Sequence, residues 1–317
     1  MMKGDLISIT DQCILKKETQ KKQIILNMRI VRDVNNVYSI INGECLTVLS
    51  NIDENGFHAC ITDPPYGMGM DSWDHSVPTT EIWKQVYRVL RPGAFCLSFC
   101  SPELYHRMAV AVEDAGFIIK DQIMWMTTTK MPKYNRLKPA HEPIVVSQKP
   151  VEGTIKSNHE KWGCGLIDVD NTRVPWDKEP PKGWVKGGVK RRTFGRDGKT
   201  TGNAKEFGTT DANPNGRYPS NIIGEVLPEH QKYFYAPRAT RKEKGDYNNH
   251  PTVKPISLMS YLVKIYSSEK NTVLDPFCGS GTTGVSCIKE NRNFLGIDMS
   301  EEYVKISNKR CKEHASE

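Results

Sequence analysis

Two short segments, far apart in the chain, have residue types and spacing that could do chemistry. The first is Asp63-Pro64-Pro65-Tyr66. Two successive prolines fix two φ angles and remove two N–H donors, leaving backbone carbonyls and the Asp63 carboxylate as a rigid set of acceptors. Such a set suits an –NH2 group, with its two hydrogens directed to Asp63 and the Pro64 carbonyl. Tyr66 adds a face on which a planar ring can stack, worth ~1–3 kcal/mol in aromatic–base contacts generally. The second segment, Asp275-Pro276-Phe277-Cys278-Gly279-Ser280-Gly281, runs into Thr282 and Thr283. An acid, then glycines that let the backbone approach a ligand, then hydroxyls form the sequence of a strand-to-helix turn around a cofactor. Asp298 follows at the end of the next apolar run, where a carboxylate reaches ribose hydroxyls. A diphosphate would want a third glycine or a Lys-Ser/Thr pair, and neither is present, so a nucleoside ligand without phosphate is expected.

The exocyclic amine of adenine or cytosine is a poor nucleophile because its lone pair is delocalised into the ring. Accepting both its hydrogens draws the nitrogen toward tetrahedral geometry and stabilises the positive charge that develops on alkylation. An acceptor cluster early and a nucleoside loop late therefore point to methyl transfer onto a base of DNA.

These residues need a scaffold that brings them together. Short apolar runs alternate with helix-length segments, the pattern of a parallel sheet wrapped by helices. Strands are predicted at 37–41, 58–62, 94–100, 118–126, 143–146, 272–274 and 294–297, seven in all. Helices are predicted over 80–90, ended by Arg91-Pro92-Gly93, from Pro102 to about Ala115, and over 255–267 and 282–290. Trp125 reads as core. Residues 1–32 form an extension of no assignable role.

The chain has 317 residues and a formal net charge of +7. Residues 151–245 hold 18 Lys and Arg against 12 Asp and Glu, so most of the excess is local. This stretch is glycine-rich with little apolar periodicity, and it reads as an inserted module that neutralises phosphates. Lys190, Arg191, Arg192, Arg196 and Arg217, interleaved with Trp184 and Phe194, are the candidates for contact with double-stranded DNA. The rest divides into a catalytic half, 33–150, and a cofactor half, 246–317. No apolar run approaches the ~18 residues of a membrane span, and no secretion signal is evident, so a cytoplasmic location is expected. Nine scattered cysteines without a Cys-x-x-Cys pair read as reduced core thiols. His141 and His250 lack metal-ligand spacing, and no metal site is expected.

The chain resembles the S-adenosyl-L-methionine-dependent amino DNA methyltransferases, which act on adenine N6 or cytosine N4. Asp63-Pro64-Pro65-Tyr66 is similar to the family's catalytic tetrapeptide, and Phe277-Cys278-Gly279-Ser280-Gly281 to its Phe-x-Gly-x-Gly cofactor loop. His250-Pro251-Thr252-Val253-Lys254-Pro255 resembles the segment lining the methionine end of the cofactor. Leu90-Arg91-Pro92-Gly93 and Lys138-Pro139-Ala140-His141-Glu142-Pro143 also match family stretches. Catalytic segment first and cofactor loop last is the permuted order called β. The resemblance implies a seven-stranded, mostly parallel Rossmann-like sheet with an inserted, loop-rich basic recognition region. It also implies a cofactor set of Glu44, Asp63, Thr252, Lys254, Asp275, Phe277, Gly279, Gly281, Thr282 and Asp298. Many members carry Gly-Asp where this chain has Gly43-Glu44.

Asp at position 63 leans toward adenine over cytosine. An RNA methyltransferase would usually carry the cofactor loop first, and a silent DNA-binding decoy would not need an intact Asp63. The absence of a Pro-Cys pair argues against attack on a ring carbon. Any restriction endonuclease is expected on a separate chain, with this protein a monomer or homodimer.

Overall fold

The computed structural model describes residues 31–32, 37–69, 74–127, 139–176, 178–180, 184–185, 209–210, 212–224 and 239–315. In chain order the elements of the larger unit are β1 (Val31–Arg32), β2 (Val37–Asn42), α1 (Cys45–Ser50), β3 (Phe57–Thr62), α2 (Thr80–Val89), β4 (Leu90–Phe99), α3 (Tyr105–Asp114), β5 (Ile118–Met126), β6 (His141–Gln148) and α4 (Ile155–Trp162). Within the same stretch as the predicted insertion come β7 (Trp184–Val185), β8 (Thr209–Thr210) and β9 (Ile222–Gly224). The chain then forms α5 (Arg241–Lys244), α6 (Ile256–Tyr266), β10 (Thr272–Asp275), α7 (Thr282–Lys289), β11 (Asn293–Asp298) and α8 (Glu301–Ala315).

Nine strands make one sheet in the order β1-β2-β11-β10-β3-β4-β6-β5-β9. Strands β2, β11, β10, β3 and β4 run parallel, β6 is antiparallel between β4 and β5, β9 is parallel to β5, and β1 is antiparallel to β2. The seven predicted strands are all present; the two additions are edge strands of two and three residues.

Alternation along the strands builds a core on each face. Tyr38, Ile40, Ile61, Phe95, Leu97 and Phe99 join one buried cluster with α6 and α7. Ile41, Cys60, Ala94, Cys96, Leu295 and Ile297 join the other with α1, α2 and α3. Trp125 is buried, edge-on to Phe99. The eight described cysteines are buried and form no disulfide. No described helix is long and apolar enough to cross a membrane, and the described residues include no cluster of metal-ligating side chains.

Of the stretch 151–245, residues Val169–Pro219 form a second compact unit, and the flanking parts group with the first. In the second unit a 3-10 turn, Asp170–Thr172, precedes an antiparallel bridge between Val174 and Arg217, and β7 pairs with β8.

Candidate active site

Parallel strands place their carboxyl ends along one edge. Chain order diverges between β3 and β10: β3 leads to β4 on one side, and β10 to β11 on the other. A crevice at such a switch point is where open α/β sheets take ligands. Asp63 follows β3, Asp275 ends β10 and Asp298 ends β11, so the two sequence segments meet here. Tyr66 and Phe277, half-buried, both pack on the same apolar cluster.

Asp275, only 2% exposed, ties the segments together. Its Oδ1 accepts from the Thr62 hydroxyl at 2.7 Å and the Phe277 N–H at 3.1 Å, and its Oδ2 accepts from the Thr283 hydroxyl at 2.7 Å. Burial pushes its carboxyl up to about 6, against the opposing pull of these three donors. The side chain thus organises the loop from within the protein.

The glycine loop needs its glycines. Gly279 and Gly281 have φ of 50° and 80°, a region costly for residues with a Cβ. A Cβ at Gly279 would lie 2.8 Å from His250 Nε2, and one at Gly281 would lie 2.6 Å from Ser307 Cβ. Gly279 N–H donates to Asp298 Oδ2 at 2.8 Å, and Ser300 N–H donates to Oδ1 at 2.8 Å. Burial raises the Asp298 carboxyl above its ordinary value while these two donors oppose it. The buried Arg310 of α8 reaches under the loop, donating to Ser280 O at 2.8 Å, Ser280 Oγ at 3.1 Å and the Thr282 hydroxyl at 3.1 Å. Sequence reasoning missed Arg310 and the contact of His250 with Gly279, because both arise from segments that meet only on folding.

Asp63 and Tyr66 are held as a unit. The Tyr66 hydroxyl donates to Asp63 Oδ1 at 2.5 Å, and Lys254 Nζ donates to Oδ2. Lys254 also reaches Tyr66 Oη at 3.3 Å and lies 3.7 Å from Glu142 Oε2. Pro64 is buried and Pro65 half-buried. The loop after Tyr66 is fastened by Asp74, 2% exposed. Its Oδ1 accepts from the N–H groups of Tyr66 and Gly67, both at 2.7 Å, and its Oδ2 from Met68 N–H at 3.1 Å. Asp74 was not singled out from the sequence; its only signal is an acid in a glycine-bearing loop eight residues beyond Tyr66.

The remaining candidates vary in placement. Glu44 caps α1, accepting from Leu46 N–H at 2.9 Å, Thr47 N–H at 2.7 Å and the Thr47 hydroxyl at 2.7 Å. Burial works against its charge, but these donors outweigh it and hold its carboxyl below the usual range. Thr252 donates its N–H to His250 Nδ1 at 3.3 Å. Arg217 lies in the second unit, its guanidinium 5.1 Å from the Trp176 ring and donating to Pro175 O at 3.0 Å. Lys190, Arg191, Arg192 and Arg196 lie outside the described residues.

The donor set fits S-adenosyl-L-methionine. Asp63, Asp275 and Asp298 crowd the strand tips, while the loop itself carries no Lys or Arg. Carboxylates repel a phosphate and suit a ligand bearing a sulfonium and an ammonium. Asp298 and the glycine backbone would hold the nucleoside.

Comparison with known proteins agrees. Residues 57–309 match the family model described as DNA methylase, covering N6- and N4-acting enzymes. Type II methyltransferase M.HpaI of Haemophilus parainfluenzae is 24% identical over 281 residues, covering 86% of this chain and 73% of that protein. DNA adenine methyltransferase YhdJ of Escherichia coli K12 is 23% identical over 286 residues, covering 87% and 83%. Among solved structures, the DNA modification methylase TTHA0409 of Thermus thermophilus, complexed with S-adenosyl-L-methionine, shares the fold with a TM-score of 0.51 at 18% identity, covering 87% of this chain and 93% of that one. The glycine loop, the proline-stiffened acceptors and their meeting at one crevice are thus shared family features, and the chain belongs to the S-adenosyl-L-methionine-dependent N6/N4 DNA methylases.

Proposed function

We propose that the protein methylates the N6 amine of an adenine flipped out of duplex DNA. The observation that carries this reading is the Asp63 carboxylate beside Pro64 at the β3 tip, one hydrogen-bonded residue pair away from the glycine loop. When bound, S-adenosyl-L-methionine supplies a methyl group made electrophilic by its sulfonium. Asp63 and the Pro64 carbonyl accept the hydrogens of the target amine, localise its lone pair and stabilise the positive charge it acquires. Tyr66, anchored through its hydroxyl, offers its ring for stacking. The product amine then loses a proton to solvent.

An amine inside a duplex cannot reach this crevice, so the base must leave the stack at a cost of a few kcal/mol. Lys190, Arg191, Arg192, Arg196 and Arg217 help to offset that cost by neutralising phosphates. Adenine is favoured over cytosine by the acid at position 63 and by the name carried by YhdJ, an adenine methyltransferase. A restriction partner, if one exists, is a separate chain, and the protein acts in the cytoplasm as a monomer or homodimer.

Incubating unmethylated duplex DNA with the protein and methyl-labelled cofactor, followed by chromatography of the nucleosides, tests the reading. Label in N6-methyladenine is expected; label in N4-methylcytosine would reassign the base, and no label in DNA would reject the reading.

A further inference from the structure

Lys254 touches two carboxylates, and the amine recognition described above uses only one of them. The side chain is buried, 8% exposed. Its Nζ donates to Asp63 Oδ2 and lies 3.7 Å from Glu142 Oε2, with the Phe99 and Tyr66 ring centres 5.0 and 5.5 Å away. Glu142 is the second residue of β6, and this antiparallel strand begins at the edge where the parallel strands end. Its side chain is 14% exposed, so its charge acts at short range in a poorly screened setting.

Asp63 and Lys254 alone would sum to zero charge facing a nitrogen that must become positive. Adding Glu142 leaves the cluster with one net negative charge. Tyr66 does not change the count, because burial, with the nearby carboxylates, holds its phenol well above its ordinary value and therefore neutral. We propose that Glu142 is a positioning residue for methyl transfer: it balances the Lys254 ammonium, so that the Asp63 carboxylate keeps its charge for the amine of the target base. The inference rests on the amine-methylation reading above.

The groups facing Asp63 are Tyr66 from its own loop, Lys254, Glu142 from β6, Cys100 just beyond β4 and Asp275 from β10. Burial is the main cause raising the Asp63 carboxyl; Lys254 and Tyr66 lower it, and Glu142 adds to the rise. Removing the Glu142 charge therefore moves Asp63 downward. The acid limb of the rate profile, where Asp63 becomes protonated, moves to lower pH even as the plateau falls.

The test compares full-length wild type, Glu142→Gln and Glu142→Asp on duplex DNA that the wild type methylates. It measures single-turnover rates against pH, S-adenosyl-L-homocysteine affinity by calorimetry, DNA affinity by anisotropy and melting temperature. Glu142→Gln should be slowed tenfold or more at saturation, with its acid limb at lower pH and both affinities within twofold of wild type. Glu142→Asp, which keeps the charge, should retain at least a third of the rate. A Glu142→Gln rate within twofold with an unmoved limb would overturn the inference. So would a Glu142→Asp variant as slow as the glutamine, or slowing matched by weakened binding of both ligands. If Glu142→Gln fails to fold, a folded Glu142→Asp decides: a rate within threefold supports the inference and a tenfold loss overturns it. A wild type that methylates no DNA would instead reject the functional reading itself.

Discussion

Thr62 and Asp275 are hydrogen-bonded, hydroxyl to carboxylate, at 2.7 Å across the boundary between β3 and β10. Thr62 immediately precedes the acceptor tetrapeptide and Asp275 opens the cofactor loop, 213 residues later. One buried contact therefore sets the spacing between the group that binds the amine and the loop that holds the methyl donor.

Replacing Thr62 with Val keeps the shape and removes the donor. A buried acceptor that loses a partner costs ~1–3 kcal/mol. Thr62→Val should lose that much stability in urea denaturation and bind S-adenosyl-L-homocysteine several-fold more weakly by calorimetry. Unchanged values for both would show that the contact does not support the loop.

Asp275 gives a pH dependence. Its folded carboxyl titrates near 6 because of burial, above the ~3.9 of an exposed aspartate. The folded state therefore holds the proton more tightly than the unfolded one. The stabilisation is complete below about pH 4 and is lost as pH rises through about 6. A difference of about two units corresponds to roughly 3 kcal/mol. Between pH 4 and 7, wild type should lose about that much stability relative to Asp275→Asn, which cannot titrate. Parallel stability curves would show an ordinary carboxylate.

Much of this arrangement is legible in the sequence, and the omissions have physical causes. Continuous apolar runs such as Phe95 to Cys100 and Val273 to Leu274 announce buried parallel strands, and an acid at a strand end announces the ligand edge. β1 and β9 are too short for any periodicity to register. Arg91-Pro92-Gly93 reads as a helix stop, and α2 does end at Val89; yet β4 already starts at Leu90, and its register to β3 shifts between Phe57 and Ala59 to absorb these residues. Asp74, Glu142 and Arg310 act through partners distant in sequence or through backbone N–H groups, so no local spacing marks them.

Asp74 should prove as important to Tyr66 as the prolines. Asp74→Ala would strip three N–H groups of their acceptor. At ~1–3 kcal/mol for each group left unsatisfied, a loss of several kcal/mol is the upper bound, with water taking up part of it. DNA methylation should fall at least tenfold, while S-adenosyl-L-homocysteine binding stays within about threefold. Equal loss of both would mean that the fold, rather than the Tyr66 loop, depends on Asp74.

Gly281→Ala combines an unfavourable φ with a Cβ 2.6 Å from Ser307 Cβ. Strain of this kind costs ~1–3 kcal/mol, and the loop must shift to relieve it. Cofactor affinity should fall at least tenfold, and wild-type affinity would rule out a backbone role for this position.

Neutralising Lys190, Arg191 and Arg192 together should weaken DNA binding. If all three meet phosphates, the slope of log affinity against log salt should fall in magnitude by about 2–3. An unchanged slope would remove these residues from the interface.

The most direct test is a structure of the ternary complex with S-adenosyl-L-homocysteine and a duplex that the protein methylates. An extruded adenine is expected, its amine nitrogen about 3 Å from an Asp63 carboxylate oxygen and from the Pro64 carbonyl oxygen, with the cofactor sulfur facing that nitrogen across the β3–β10 crevice. A base left in its stack, or bound away from Asp63, would contradict the account.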